Sequence, residues 1–324
     1  MNTDLRIVFF GTPDFAVPSL DILIKNNFNI VGVVTAPDKP AGRGLQITQS
    51  PVKAYAMEHE LNIMQPEKLK DETFINMLQA LNADLFVVVA FRMLPNAIWN
   101  MPKLGTFNLH GSLLPQYRGA APINWAVING EKETGITTFF LQQEIDTGRI
   151  IFKQKTEIGE NETAGELHDR MMEMGANLVL KTVQSIITKN FNTMKQSTLI
   201  TPDTILHAAP KLNKEVCKIN WNKSMQELHD FIRGLSPYPG AWTNIKNKQG
   251  EQLSMKIFKT TMEPILDSVY NPEMLTDQKT YLKVRVKGGM LHILELQVSG
   301  KKRMGTAEFL RGFHFKDAWK IDSK

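Results

Sequence analysis

Asn108 and His110 stand two residues apart in the segment Asn108-Leu109-His110-Gly111-Ser112-Leu113-Leu114-Pro115. In a β-strand, residues i and i+2 share a face. If residues 105–110 form a strand, this amide and this imidazole enter one cleft at its end. The pair suits acyl transfer. Both groups can donate a hydrogen bond to an oxygen that gains negative charge, and a histidine can also move protons near neutral pH. A lone histidine at a strand end more often serves structure; the asparagine, the following glycine and the Ser-Leu-Leu-Pro turn shift the balance toward chemistry. Further along, Glu144-Ile145-Asp146-Thr147-Gly148 sets a carboxylate in a turn. By itself Asp146 reads as an Asx turn bonding backbone groups two residues ahead. An aspartic protease would need two carboxylates sharing a proton, and Asp-Thr-Gly occurs once.

The elements that must position these residues can be read from apolar patterning. Residues 7–11, 30–35, 85–90 and 105–110 are apolar, β-branched runs, with helical patterns at 15–26, 51–60 and 74–81. Near-continuous apolar strands separated by helices predict a doubly wound, mostly parallel sheet covered on both faces. Ligands of such folds sit at the carboxyl ends of the strands. Runs at 135–141 and 150–154 predict hairpin strands, and 163–188 a long helix with Thr163 and Glu166 in capping-box spacing. Residues 37–49, with Lys39, Pro40, Gly42, Arg43 and Gly44, lack apolar periodicity and predict an exposed loop. Such a loop at a strand end can be functional or a plain surface insertion.

The pattern fades over 197–213, which marks a linker between a domain at 1–196 and another at 214–324. Beyond it a helix at 224–234 precedes short strands at 241–245, 253–258, 281–286 and 290–296. Short strands with glycine turns predict a small OB-like β-barrel.

The 324 residues suit two domains, and 42% apolar with 22% charged residues is an ordinary globular composition. One cysteine, Cys217, excludes an intramolecular disulfide and a CxxC zinc site, and it suits a reducing compartment. No apolar run approaches a membrane span, and nothing at the start reads as a secretory signal, so a cytoplasmic protein is expected. Gly11-Thr12-Pro13-Asp14 is not a GxGxxG fingerprint; GxxxxGK[ST] and HExxH are missing too. The net charge of +5 divides into −3 over residues 1–209 and +8 over 210–324. That asymmetry fits a polyanionic partner of the second domain, or a solvated lysine surface.

The segment NLHGSLLPQYRGAAPINWA with DTG downstream resembles the folate-dependent formyltransferases. FFGTPDFAVPSL, PDKPAGRG, SPVK, Gln65-Pro66, KLNKE and GKKRM…FLRG extend the likeness over essentially the whole chain. These segments are similar to the branch of that family that formylates methionyl-tRNA.

The resemblance implies that Asn108, His110 and Asp146 are catalytic. It implies that 10-formyltetrahydrofolate is a co-substrate, with no tightly bound cofactor and no metal. The acceptor would be the α-amine of initiator methionyl-tRNA. Ser112, Leu113, Leu114 and Pro115 would contact the tetrahydrofolate, and residues 88–94, with Phe91 and Arg92, would line the pterin pocket. Arg92 departs from the family's Ala-aromatic-Gly pattern, which bears on the shape of that wall. Arg43 and Lys39 would meet the tRNA acceptor end and the basic second domain its phosphates, with no membrane partner and a monomeric chain. Three rivals remain at this point: a formyltransferase for a small amine such as glycinamide ribonucleotide or an amino sugar, a folate-dependent hydrolase, and an RNA-binding protein without activity. A second domain of this size speaks against the glycinamide enzyme. An intact catalytic triplet speaks against a purely binding role.

Overall fold

A computed structural model describes residues 4–41, 46–265, 272–315 and 319–321. Its backbone forms two compact units, the first made of Met1–Pro122, Thr134–Thr156 and His168–Ala208, the second of Ile123–Glu133, Glu157–Leu167 and Ala209–Lys324.

In the first unit the strands are β1 (Arg6–Gly11), β2 (Asn29–Val34), β3 (Lys39–Ala41), β4 (Gln46–Thr48), β5 (Ile63–Met64), β6 (Leu85–Val89), β7 (Thr106–His110), β8 (Arg118–Gly119), β9 (Glu133–Phe140) and β10 (Ile150–Glu157). The main sheet runs β10-β9-β7-β6-β1-β2-β5. Its pairs β2–β5, β1–β2, β1–β6 and β6–β7 are parallel, and β7–β9 is antiparallel. The doubly wound sheet expected from the apolar runs is therefore present. Val8, Phe10, Phe86 and Val88 pack on one face with Phe74 and Leu78 of α3 (Glu72–Ala80) and Ile98 of α4 (Asn96–Trp99). Ile7, Phe9, Leu85 and Val87 alternate with them and are buried too. Helices α1 (Val17–Lys25) and α2 (Pro51–Glu58) precede α3, whereas α5 (Pro122–Ile128), after α4, falls in the second unit from Ile123 onward.

Helix α6 (Ala164–Thr188) starts at the Thr163–Glu166 capping box: Glu166 accepts from the Thr163 N–H at 2.8 Å, and the Thr163 hydroxyl accepts from the Glu166 N–H at 3.2 Å. Gly175 lets α6 lie against β7, since a Cβ there would come within 2.7 Å of the Leu109 side chain.

The segment expected to be an irregular loop, 37–49, instead carries the hairpin β3–β4, with Lys39 opposite Thr48. Three-residue strands are too short to show alternation, so composition alone concealed them. Arg43 lies outside the described residues.

In the second unit, after β11 (Ala208–Ala209), α7 (Met225–Gly234) precedes β12 (Ala241–Lys246), β13 (Gln252–Pro264), β14 (Glu273–Thr276), β15 (Leu282–Val286), β16 (Gly289–Val298) and β17 (Met304–Gly305). Then come α8 (Thr306–Gly312) and β18 (Lys320–Ile321). The strand order is β14-β15-β16-β13-β12-β18, and β14 and β18 approach each other, so the antiparallel sheet nearly closes into the OB-like barrel. Trp221, Leu228, Ile232, Ile257, Leu291 and Leu296 fill its interior. The segment Glu157–Leu167 is tied in by Arg233, which donates to the Glu162 carbonyl at 2.8 Å and pairs with Asp230 at 2.7 Å. Both charges of that pair are buried, so each needs the other and its further hydrogen bonds.

Candidate active site

At the carboxyl end of β7, Asn108 lies opposite Phe139 and His110 opposite Thr137, with Val88 of β6 on the other side of Asn108. Strand alternation thus puts the amide and the imidazole on one face, as expected. Asn108 is half-buried, and its amide has no hydrogen-bond partner among the described residues.

His110 is buried and held from two sides. Its Nε2 lies 2.8 Å from the carbonyl oxygen of Tyr117. A carbonyl only accepts, so this nitrogen carries a hydrogen. Nδ1 faces Asp146, 3.8 Å from Oδ2. In the neutral ring Nδ1 is then the basic nitrogen. When it takes a proton, the imidazolium lies between a carbonyl oxygen and a carboxylate.

Asp146 adopts a left-handed backbone with φ of 53°, a conformation Asp tolerates better than most residues. Its Oδ2 accepts from the Gly119 N–H at 3.0 Å. The turn is fastened from below by Gln196, whose amide donates to the carbonyls of Asp146 at 2.7 Å and Gly148 at 2.9 Å. Arg118 in turn donates to the Gln196 side-chain oxygen through Nε at 3.0 Å and Nη2 at 2.6 Å. Gly148 is required by space, because a Cβ would sit 1.7 Å from the Phe140 carbonyl oxygen.

Beside the histidine, the Ser112–Pro115 turn is locked to β9. The Thr137 hydroxyl donates to the Ser112 carbonyl at 2.6 Å and accepts from the Leu114 N–H at 3.2 Å. The Ser112 hydroxyl donates to the Gln116 carbonyl at 2.6 Å, and Leu113 is only half-buried. The neighbouring strand end holds Phe91, packed edge-on against Phe10 with centroids 5.6 Å apart. Arg92 donates to the carbonyls of Pro66 and of Glu67, the latter at 2.8 Å. The left-handed residue of this segment is Ala90, with φ of 47°, so Arg92 stands without the backbone demand that would call for glycine.

Near Lys39, which is exposed, Asp38 accepts from Lys53 and from Gln65, the latter at 2.9 Å. The Lys53 hydrogen bond first, and then that of Gln65, hold the Asp38 carboxyl below its usual carboxylate pKa. Three short motifs far apart in sequence, PDKP, SPVK and Gln65-Pro66, meet in this one network.

The structure therefore brings Asn108, His110, Asp146 and the 112–115 turn together, with the Phe91–Arg92 strand end beside them. Tyr117, Gly119, Thr137 and Gln196 were not singled out in the sequence. The first two act through backbone atoms, which leave no side-chain signature. Gln196 reaches its turn from 50 residues away.

The chain matches the model of the formyl transferase family over residues 5–183 and that of the formyl transferase C-terminal domain over 211–314. It belongs to the formyl transferase family. Among its relatives, the methionyl-tRNA formyltransferase of Bacteroides thetaiotaomicron is 53% identical over 98% of this chain and 99% of its own. That of Bacteroides fragilis is 52% identical over 98% of both chains. In fold, the chain is similar to the sugar 3N-formyl transferase WlaRD, crystallised with dTDP and 5-N-formyl-THF, with a TM-score of 0.62 at 22% identity, covering 92% of this chain and 99% of that one. It is also similar to HypX from Aquifex aeolicus in complex with tetrahydrofolic acid, with a TM-score of 0.61 at 16% identity over 94% of this chain and 46% of that one. Among the described residues, no helix is long and apolar enough to cross a membrane.

Proposed function

We propose that this protein transfers the formyl group of 10-formyltetrahydrofolate to the α-amino group of methionine on initiator methionyl-tRNA, the step that prepares the tRNA for translation initiation. The observation that carries the reading is the length of the match: identity of 53% to a methionyl-tRNA formyltransferase runs through the second unit as well as the first. The reading makes the protein a cytoplasmic enzyme. It would act as a monomer. Residues 1–196 would do the chemistry and 214–324 would dock the tRNA, joined by 197–213.

The mechanism follows from the hydrogen bonds. The amine attacks the formyl carbon, a C–N bond forms, and negative charge develops on the formyl oxygen. The half-buried Asn108 amide, with no partner among the described residues, would donate to that oxygen. His110 Nδ1 is the basic nitrogen, so it takes the amine proton while the Nε2–H stays on the Tyr117 carbonyl. Asp146 stabilises the resulting imidazolium. The proton then passes to N10 of the folate as the old C–N bond breaks. This differs from the simplest expectation, in which His110 shares the oxyanion role, because its only N–H is already donated to Tyr117. The Ser112–Pro115 turn and the Phe91–Arg92 strand end would hold the tetrahydrofolate. Lys39 and Arg43 would approach the tRNA acceptor end. Outward-facing Lys283 and Arg285, alternating with buried Leu282, Val284 and Val286 on β15, would meet phosphates.

The test is to incubate the protein with 10-formyltetrahydrofolate and, in separate reactions, charged initiator tRNA, glycinamide ribonucleotide and a nucleotide-linked amino sugar. Formylation of the tRNA alone is the expected result. Preferential formylation of either small amine would overturn the reading.

A further inference from the structure

We infer that Gln196 is a positioning residue for the reaction, acting through Asp146; the inference rests on the reading of Asp146 as the partner of the His110 imidazolium. Gln196 is 3% exposed, so its primary amide must find its hydrogen bonds inside the protein. They tie the Asp146 turn to Arg118. Its two N–H groups go to the carbonyl oxygens of Asp146 and Gly148, at 2.7 and 2.9 Å, and its oxygen takes both donors offered by Arg118. The residue thus bridges the strand that carries Arg118 and Gly119 to the turn that carries Asp146.

The same two strand and turn segments are joined a second time by the carboxylate itself, which accepts the Gly119 N–H at 3.0 Å. Asp146 is therefore fixed at both ends: its main chain by Gln196 and its side chain by Gly119. Its left-handed φ of 53° leaves the turn dependent on outside support, because such a conformation persists only where the surroundings hold it. The 3.8 Å from Asp146 Oδ2 to His110 Nδ1 is set by this frame on the carboxylate side and, on the histidine side, by the anchoring of Nε2 to Tyr117. Loss of the Gln196 amide would let the carboxylate drift. A misplacement of about 1 Å in a reacting constellation can cost on the order of 10²-fold in rate.

A double-mutant cycle tests this, with kcat for formyl transfer as the readout. Gln196→Leu removes all four hydrogen bonds, and Gln196→Glu keeps the size and the Arg118 pairing while presenting oxygen to the two carbonyls. Each is expected to lower kcat by roughly 10- to 100-fold with folate KM within about 3-fold of wild type. In an Asp146→Asn background the same substitutions should cost less than about 3-fold more, because residues acting as a unit are not additive. If Gln196→Leu does not fold, Gln196→Glu carries the test. An Asp146→Asn enzyme with wild-type kcat would remove the reading of Asp146 and this inference with it. An impaired Asp146→Asn enzyme combined with wild-type kcat in Gln196→Glu, or with equal losses in both backgrounds, would overturn the inference alone.

Discussion

The carbonyl oxygen of Tyr117 lies 2.8 Å from Nε2 of His110, and this contact decides which ring nitrogen is the base. With Nε2 donating, the lone pair of the neutral ring is on Nδ1, on the Asp146 side. A positive charge created there has its carboxylate in place before the reaction begins. The cost of reorganising around the new charge is accordingly small.

In the proposed reaction Asn108 is left as the donor for the formyl oxygen. Asn108→Ala should lower kcat on the order of 10²- to 10³-fold, the usual loss when an oxyanion donor is removed. The thermal melting curve should stay near wild type, since the amide makes no hydrogen bond to another described residue. Steady-state formylation kinetics with methionyl-tRNA would check this, and a loss confined to KM would assign Asn108 to binding instead.

Gly148 should tolerate no side chain. An added Cβ would meet the Phe140 carbonyl at 1.7 Å, a backbone atom that cannot move without shifting the end of β9. Gly148→Ala is expected to displace the Asp146 turn and abolish most activity, while Gly312→Ala, where the backbone is not left-handed and a Cβ meets nothing within 4 Å, should leave kcat unchanged. Comparing the two variants in one assay separates a local steric effect from a general glycine effect.

The second unit should weaken as the solution is acidified. Burial holds the His229 pKa below its ordinary 6.5, against the opposing pull of Asp230 and of Glu160, while Arg233 adds to the depression. The folded chain therefore binds fewer protons than the unfolded chain below about pH 6.5, and stability falls as pH drops from there. Replacement by an uncharged residue removes this contribution. Denaturant midpoints at pH 7.5 and 5.5 should show a larger acid loss for wild type than for His229→Gln; equal losses would mean that His229 titrates normally.

The capping box of α7 should be worth a measurable part of the second unit's stability. Ser224 accepts from the Glu227 N–H, and Glu227 accepts from the Ser224 N–H at 3.0 Å. Ser224→Ala should cost about 1 kcal/mol in denaturant unfolding. No change would show that neighbouring contacts, such as the Met225 N–H to the Lys287 carbonyl at 2.9 Å, hold the helix start unaided.

The parallel sheet was legible because strands such as Leu85–Val89 are buried on both faces and read as unbroken apolar runs. The two-residue β5 and four-residue α4 were not, since neither is long enough to display a period. Strand β13 was cut short at Phe258 in the sequence. Its register shifts between Ile257 and Thr260, and Lys259, Thr260 and Thr261 beyond that point break the alternation. At the candidate site, Asn108, His110 and Asp146 could be proposed from the sequence because side chains carry their chemistry openly. The tautomer of His110 could not be read, because it is dictated by a main-chain oxygen of Tyr117. Nor could Gln196, whose role exists only once the chain has folded back on the Asp146 turn.

If His110 Nδ1 accepts the amine proton, single-turnover formylation of methionyl-tRNA should be slowed in His110→Gln. Glutamine can keep a donor near the Nε2 position for the Tyr117 carbonyl but offers no base at Nδ1. The predicted result is a rate lower by roughly 10²- to 10⁴-fold with an unchanged melting temperature. A rate within a few-fold of wild type would contradict it.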